Sequence, residues 1–285
     1  MTNLNLYATL ADYKAYSTAR GQTASTDTAD DAVIVNLLES ASRYIDGKSG
    51  GRFFYPRIET QYYDIPGGGG REYSREVELY HRDLQTIITF LNGDGTSIAS
   101  TQYELLPRND TPKFCIRLKQ TSTLIWQLDS DGNWENVLAL TGIFGYHNRY
   151  TEAWTVGSTL AEDLDTSETG WDVTSGTSFA AHQIVKVDNE IGIVSSVASN
   201  TLTVISRPAN GSTAATHTSG TTVYIWQPMA DLKQAVLETA NNAYQRRFGK
   251  SVGENIQVTG AGVVLSPRDI PASTEQFINT YRRYV

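Results

Sequence analysis

The chain has one cysteine, Cys115, in 285 residues. No internal disulfide can form, which excludes the stapled scaffolds of small secreted proteins. No apolar run approaches the ~20 residues that cross a bilayer as a helix. Met1 to Leu10 has neither a basic start nor an apolar stretch, so the reading is of a chain without a secretory signal. Basic residues are the minority: 23 Lys and Arg against 31 Asp and Glu give a net charge of −8. A protein that grips nucleic acid through its phosphates is ordinarily basic. This one repels a duplex at long range unless a local patch overrides the total. The four histidines, His81, His147, His182 and His217, stand far apart. None forms an HxxxH or Cys/His pair, so no zinc site is read.

What remains is a globular composition, 40% apolar and 19% charged, in a length that suits one large domain or two modest ones. Thr9 three residues before Asp12 reads as a capping-box start, with Leu10, Tyr13 and Tyr16 at helical spacing. Thr28 and Asp31 repeat the signal. Val33, Leu37, Leu38, Ala41, Tyr44 and Ile45 then trace one apolar stripe, which predicts a helix over 29–46 stopped by Gly47. From Arg52 to Ile143 the pattern is one of short strands between turn signals at Gly67–Gly70, Asn92–Gly95 and Asp129–Asn133. Tyr103–Leu106 and Phe114–Leu118 read as two arms around the Pro107–Pro112 loop, and Cys115 as a buried thiol in the second.

From about Val156 to Trp226 the chain turns rich in Thr, Ser, Gly, Val and Ile. Ile184–Val187, Ile191–Val197, Thr201–Ile205 and Thr222–Trp226 read as strands, the middle two joined at Ser199–Asn200. This predicts an inserted β module whose ends lie close together. After Pro228, Asp231 caps a long helix that presents Leu232, Ala235, Val236, Thr239, Ala240, Ala243 and Tyr244 on one face. Gly249, Gly253, Gly260, Gly262, Pro267 and Pro271 separate it from a last short helix, signed by Ser273 and Gln276. There Phe277, Ile278 and Tyr281 share a face, with Arg282 and Arg283 beside them. Such a short helix is marginal alone in water and its apolar face needs a partner. The reading is an arm that docks on a neighbouring protein; the alternative is packing on its own subunit.

The chemical motifs fail on context. Gly47-Lys48-Ser49-Gly50-Gly51 matches G-x-S-x-G. A nucleophile elbow, however, needs a strand before the serine and a helix after it, and the order here is reversed. The same residues hold Gly-Lys-Ser, but the first glycine of a phosphate loop falls on Ser42. The loop Asp129–Asn133 has its glycine two places early for a calcium loop and Leu140 at the twelfth position, so it reads as a polar turn. Arg246-Arg247 and Arg282-Arg283 suit the negative ends of helix dipoles or a partner surface. The expectation is therefore no enzyme, no catalytic residue, no cofactor and no metal.

The order of elements resembles the head–tail connector proteins of tailed bacteriophages. The likeness runs through Tyr7 to Tyr13, the helix over 31–46, Gly51-Arg52-Phe53-Phe54, Leu79 to Phe90, the Asn92–Gly95 turn, and Tyr103 to Pro107. It continues in Leu140 to His147, Pro228 to Ala235, and Tyr244 to Phe248, so that it covers roughly 5–150 and 226–285. The insert, with Phe179, Ile184–Glu190, Val194–Val204 and Arg207–Gly220, resembles a small β module common in phage virion proteins.

The expected fold is α+β: a helical body with a β region, plus an inserted small all-β module. The parts are 1–155 with 227–285 as the connector domain and 156–226 as the module. The resemblance implies a structural virion protein in the neck of a tailed phage, assembled in the host cytoplasm. It implies a head–tail adaptor in a ring of about twelve copies. Its partners would be the portal and the next neck or tail-completion protein, with DNA passing through unbound and no membrane involved. The implied partner interface is the arm: Phe277, Ile278, Tyr281, Arg282 and Arg283. An alternative is a virion-associated host- or carbohydrate-binding β protein, with Trp171, Tyr224 and Trp226 as an aromatic platform.

Overall fold

The computed structural model describes residues 4–20, 28–70, 73–80, 82–248, 257–258, 264–265 and 270–283. His81, the four glycines Gly249, Gly253, Gly260 and Gly262, and Pro267 lie outside the described residues.

Among the described residues four α-helices form: α1 (Leu10–Ala19), α2 (Asp31–Lys48), α3 (Ala230–Phe248) and α4 (Ala272–Tyr281). The start of α1 is the capping box read from sequence. The Asp12 amide donates to Thr9 Oγ1 at 3.1 Å and the Thr9 amide donates to Asp12 Oδ2 at 2.8 Å. α2 buries Leu37, Leu38, Ala41 and Ile45 from its stripe, together with Ile34 and Val35. Gly47 does not stop it. The helix runs on to Lys48, and the left-handed residues are Gly50 (φ 76) and Gly51 (φ 69). The Gly51 amide donates to the Asp46 carbonyl at 3.1 Å and closes the end.

The expected helical body is not what forms. The chain is mostly β, with a small helical part. Among the described residues twelve strands make three antiparallel sheets: β1 (Arg57–Tyr63), β2 (Glu76–Glu78), β3 (Leu84–Leu91), β4 (Tyr103–Leu106), β5 (Cys115–Leu118), β6 (Leu138–Phe144), β7 (Trp154–Thr159), β8 (Gly170–Asp172), β9 (Ile184–Val187), β10 (Glu190–Ala198), β11 (Thr201–Ser206) and β12 (Thr222–Trp226). Gln257–Val258 also pairs with Val264–Leu265. The sheet orders are β1-β6-β3, β2-β5-β4 and β7-β12-β9-β10-β11-β8. Helical periodicity over the long α2 and α3 is a strong local signal, whereas three- to nine-residue strands of mixed polarity are weak ones. The helical signals in the sequence therefore outweigh those of the strands.

Three apolar clusters result among the described residues. The first two sheets share one, with Leu79, Leu84, Phe90, Ile116, Leu118, Leu138, Leu140 and Phe144 at its centre. Cys115, which alternates with Ile116 along β5, is half-buried rather than buried. Burial and the neighbouring Glu76 carboxylate push its thiol up to about 11. The six-stranded sheet closes the second cluster around Trp171, Val185, Val187, Val204 and Val223.

The third cluster gathers the helices, the segment Leu6–Ala8, Phe54 and one face of the six-stranded sheet, through Ile184, Ile191, Ile193 and Trp226. Alternation along β9 explains the sharing: Ile184 points to the helices and Val185 to the sheet's own core. Trp154 pairs with Trp226 and Val156 with Tyr224, so the ends of the six-stranded unit are neighbours.

Candidate partner interface

The residues singled out at the C-terminus meet in one place. α4 packs on α3 and α2 of its own chain, and its apolar face is closed there. Phe277 and Ile278 are buried, and Phe277 stands 5.4 Å from Phe54 and 4.7 Å from Tyr281, ring to ring. Tyr281 is half-buried against Tyr146 at 5.3 Å. Ser273 does not cap α4 through its backbone; Pro271 holds the cap position, and the Ser273 hydroxyl donates to Glu238 on α3.

Beyond α4 the chain is held by charge. Asp83 is 4% exposed and receives Arg52 Nε at 3.1 Å and Arg283 Nη2 at 2.5 Å. Arg52 also donates to the Tyr281 carbonyl at 2.7 Å and lies 4.3 Å over the Tyr146 ring. The Arg283 amide donates to the Ser49 carbonyl at 3.0 Å. The Gly-Arg-Phe-Phe stretch thus supplies both the apolar and the ionic hold on the last helix. Arg282 is exposed. Asp83 gave no signal in the sequence, because nothing near it in the chain announces its partners.

Between α3 and α4 lies a groove of 230 Å³ lined by Ala235, Phe277, Thr280 and Tyr281, with Asp231 at its rim. A larger cleft of 430 Å³ opens beside the first turn of α3, bordered by His147, Arg149, Glu152 and Asp231. His147 is fully engaged. Its Nδ1 accepts the Arg149 amide at 3.0 Å and its Nε2 faces the Gln227 carbonyl at 3.2 Å. Burial lowers its affinity for a proton.

The six-stranded sheet carries a buried ionic clasp. Arg207 Nε donates to Glu190 Oε1 at 2.5 Å, and His217 Nε2 lies 2.9 Å from Glu190 Oε2, which also accepts the Ala215 amide at 2.9 Å. Arg207 further donates to the carbonyls of Glu168 and Ala215. The loop so fixed, 207–217, reaches the rest of the chain at its tip. Asn210 and Asn5 exchange side-chain hydrogen bonds at 2.9 and 2.8 Å, and the Ile58 amide donates to the Asn210 carbonyl at 2.8 Å.

The aromatic platform does not assemble. Trp171 lies in the sheet's core and Trp226 in the helical one. Tyr224 is covered by the Lys186 ammonium, which stands 5.4 Å from its ring and 4.7 Å from that of Trp154. Ser49 is fully buried, with a helix before it and a glycine turn after. Asp129 closes its own loop by accepting the amides of Asp131 and Asn133. Gly68, at the Gly67–Gly70 tip, lies against the Trp134 ring. Arg246 and Arg247 occupy the last turn of α3. Among the described residues no group of His, Cys, Asp and Glu is placed to hold a metal ion, and no helix is long and apolar enough to cross a membrane.

No protein-family model and no curated protein matches the chain. Among solved structures, the chain is similar to one from the neck of an empty GTA particle computed with C6 symmetry, with a TM-score of 0.32 and 14% identity over 51% of this chain and 67% of that one.

Proposed function

We propose that the chain is a structural component of a tailed-phage particle, a head–tail adaptor that forms a ring in the neck. The observation that carries this reading is the joining of the two connector-like parts of the sequence. Phe54 of the Gly-Arg-Phe-Phe stretch packs on Phe277 and Tyr281, and Arg52 donates to the Tyr281 carbonyl, although these partners lie more than two hundred positions apart in the chain. This packing of the two segments that bracket the insert supports the reading of an adaptor with an added module.

In this reading about twelve copies close a ring through heterologous contacts, which lies beneath the portal and receives the next neck protein. Arg282 and the outer side of α4 form the surface offered to a neighbour. Duplex DNA passes without being held, because each phosphate neutralised by Lys or Arg adds affinity and drag. The chain performs no chemistry of its own. Electron microscopy of the purified protein, alone and with portal, tests the reading. Closed rings or portal-bound rings are expected. A protein that remains monomeric at high concentration and does not join portal would overturn it. The carbohydrate-binding alternative lacks a support of this kind, since Lys186 and the two cores occupy its aromatic residues.

A further inference from the structure

Tyr7 is fully buried and joins four parts of the chain. Its ring lies 6.0 Å from Phe54, 6.4 Å from Tyr55 and 6.0 Å from Trp226. Its amide donates to Ser42 Oγ on α2 at 3.3 Å, and its hydroxyl accepts the Phe54 amide at 3.0 Å. The same hydroxyl donates to Asp46 Oδ1 on α2 at 2.6 Å. Asp46 is itself 4% exposed. Its other oxygen, Oδ2, faces Arg43 Nη2 at 3.3 Å but out of line, and takes no hydrogen bond.

A carboxylate cut off from water with one hydrogen bond and one misaligned cation is under-solvated. Three ionisable groups face it: Tyr7 from the N-terminal segment, Arg43 from one turn earlier on α2, and Arg57 from β1. Arg43 is itself divided, because it donates to the Asn5 carbonyl at 2.7 Å and lies over the rings of Tyr7 and Tyr55. The cations do not make up for the lost water. Burial raises the Asp46 carboxyl to about 7 against the lowering effect of Arg43, Tyr7 and Arg57.

We propose that Asp46 is a proton-responsive latch on residues 4–8, which holds this N-terminal segment to the core when protonated and loosens it when ionised. Lifting the segment off α2 removes Tyr7 and admits water to Asp46, and water favours the charged form. The closed state therefore keeps a proton that the open state gives up, in the window from the ordinary carboxylate value of 3.8 to about 7. Within that window the opening constant rises about tenfold for each pH unit, and above it the constant levels off. Tyr7 does not titrate in this range, since burial holds its hydroxyl well above its ordinary value. The latch lies in the seam where Tyr7, α2, the Phe54 stretch and Trp226 meet, so its release frees residues 4–8 from that seam.

Native-state hydrogen exchange of the Tyr7 and Phe54 amides, corrected for intrinsic rates, tests the proposal between about pH 5 and about pH 9. Protection should fall about tenfold per unit up to about pH 7 and then stay flat. Asp46→Asn, which copies the neutral form, should show the low-pH protection throughout. A second measurement does not depend on that variant folding: the carboxyl carbon of Asp46 in the unaltered protein should titrate within about a unit of 7. Flat protection in the unaltered protein, a slope retained by Asp46→Asn, or a carboxyl midpoint below about 5 would each overturn the proposal.

Discussion

Asp83 holds Arg283 at 2.5 Å, and so ties a loop between two strands to a residue two hundred positions later in the chain. Arg52 donates to the same carboxyl oxygen, Oδ2, at 3.1 Å. Two guanidinium groups on one buried carboxylate make the residue hard to replace, because its loss leaves both charges without their acceptor. Asp83→Ala should cost about 3 kcal/mol in denaturant unfolding, and the amides of α4 should lose exchange protection first. A cost below about 1 kcal/mol would show that the clasp is ornamental to the fold.

The Glu190–Arg207 pair is the most buried ion pair described, with side-chain exposures of 0% and 1%. Burial works to raise the Glu190 carboxyl, but hydrogen bonds from Arg207, Ala215 and His217 outweigh it and leave the group below its ordinary value. For a carboxyl lowered on folding, the added stability is complete above the unfolded value of 4.5 and is lost as pH falls through the lower folded value. The protein should therefore weaken in acid, and Glu190→Gln should remove part of that dependence. Arg207→Ala alone should cost about 3–5 kcal/mol, with the Glu190→Ala, Arg207→Ala double variant costing much less than the sum of the singles. Additive losses across this cycle would contradict a coupled clasp.

Two glycines with nearly the same backbone separate strain from contact. Gly132 has φ +79 and open space where a Cβ would stand, whereas Gly211 has φ +77 and a Cβ there would lie 2.2 Å from the Ile58 carbonyl. Gly132→Ala should cost about 1 kcal/mol, the price of a left-handed alanine. Gly211→Ala should cost roughly 2 kcal/mol more, because the loop tip must back away from β1 and from Asn5. Equal melting temperatures for the two variants would show that the tip is not pressed against the chain.

Replacing 157–225 by a short Gly/Ser bridge is geometrically feasible, because Trp154 and Trp226 are paired neighbours. Energetically it is costly. Ile184, Ile191 and Ile193 leave the helical cluster, each worth about 1.5–3 kcal/mol of burial. The shortened chain should unfold at lower denaturant and bind an apolar dye. An unchanged midpoint would mean that the six-stranded sheet contributes nothing to the helical core.

Local chemistry was legible in the sequence. The Thr9–Asp12 box, the stripe of α2, the Tyr103–Leu118 hairpin, the strands Ile184–Val187 and Thr222–Trp226, and the Ser199–Asn200 turn all form where residue pattern places them. Each depends on neighbours within a few positions, through a cap, a period or a turn residue. β7 and β8 were not legible, because Thr155 to Thr159 and Gly170 to Asp172 carry no alternating apolar pattern and become strands only by pairing with β12 and β11.

The balance of fold class was decided at long range. Two of the three apolar clusters contain no helix, which cap and stripe signals could not reveal. The ionic sites follow the same rule. Asp83 with Arg283, Glu190 with Arg207 and His217, and Tyr7 with Asp46 are joined across 200, 17 and 27, and 39 positions. Sequence alone determined which segments could become helix, turn or strand, because those preferences are set by backbone geometry over a few residues. The tertiary structure alone decided which charges met and which aromatic rings were buried. That outcome depends on complementary surfaces excluding water together, and no local pattern encodes it.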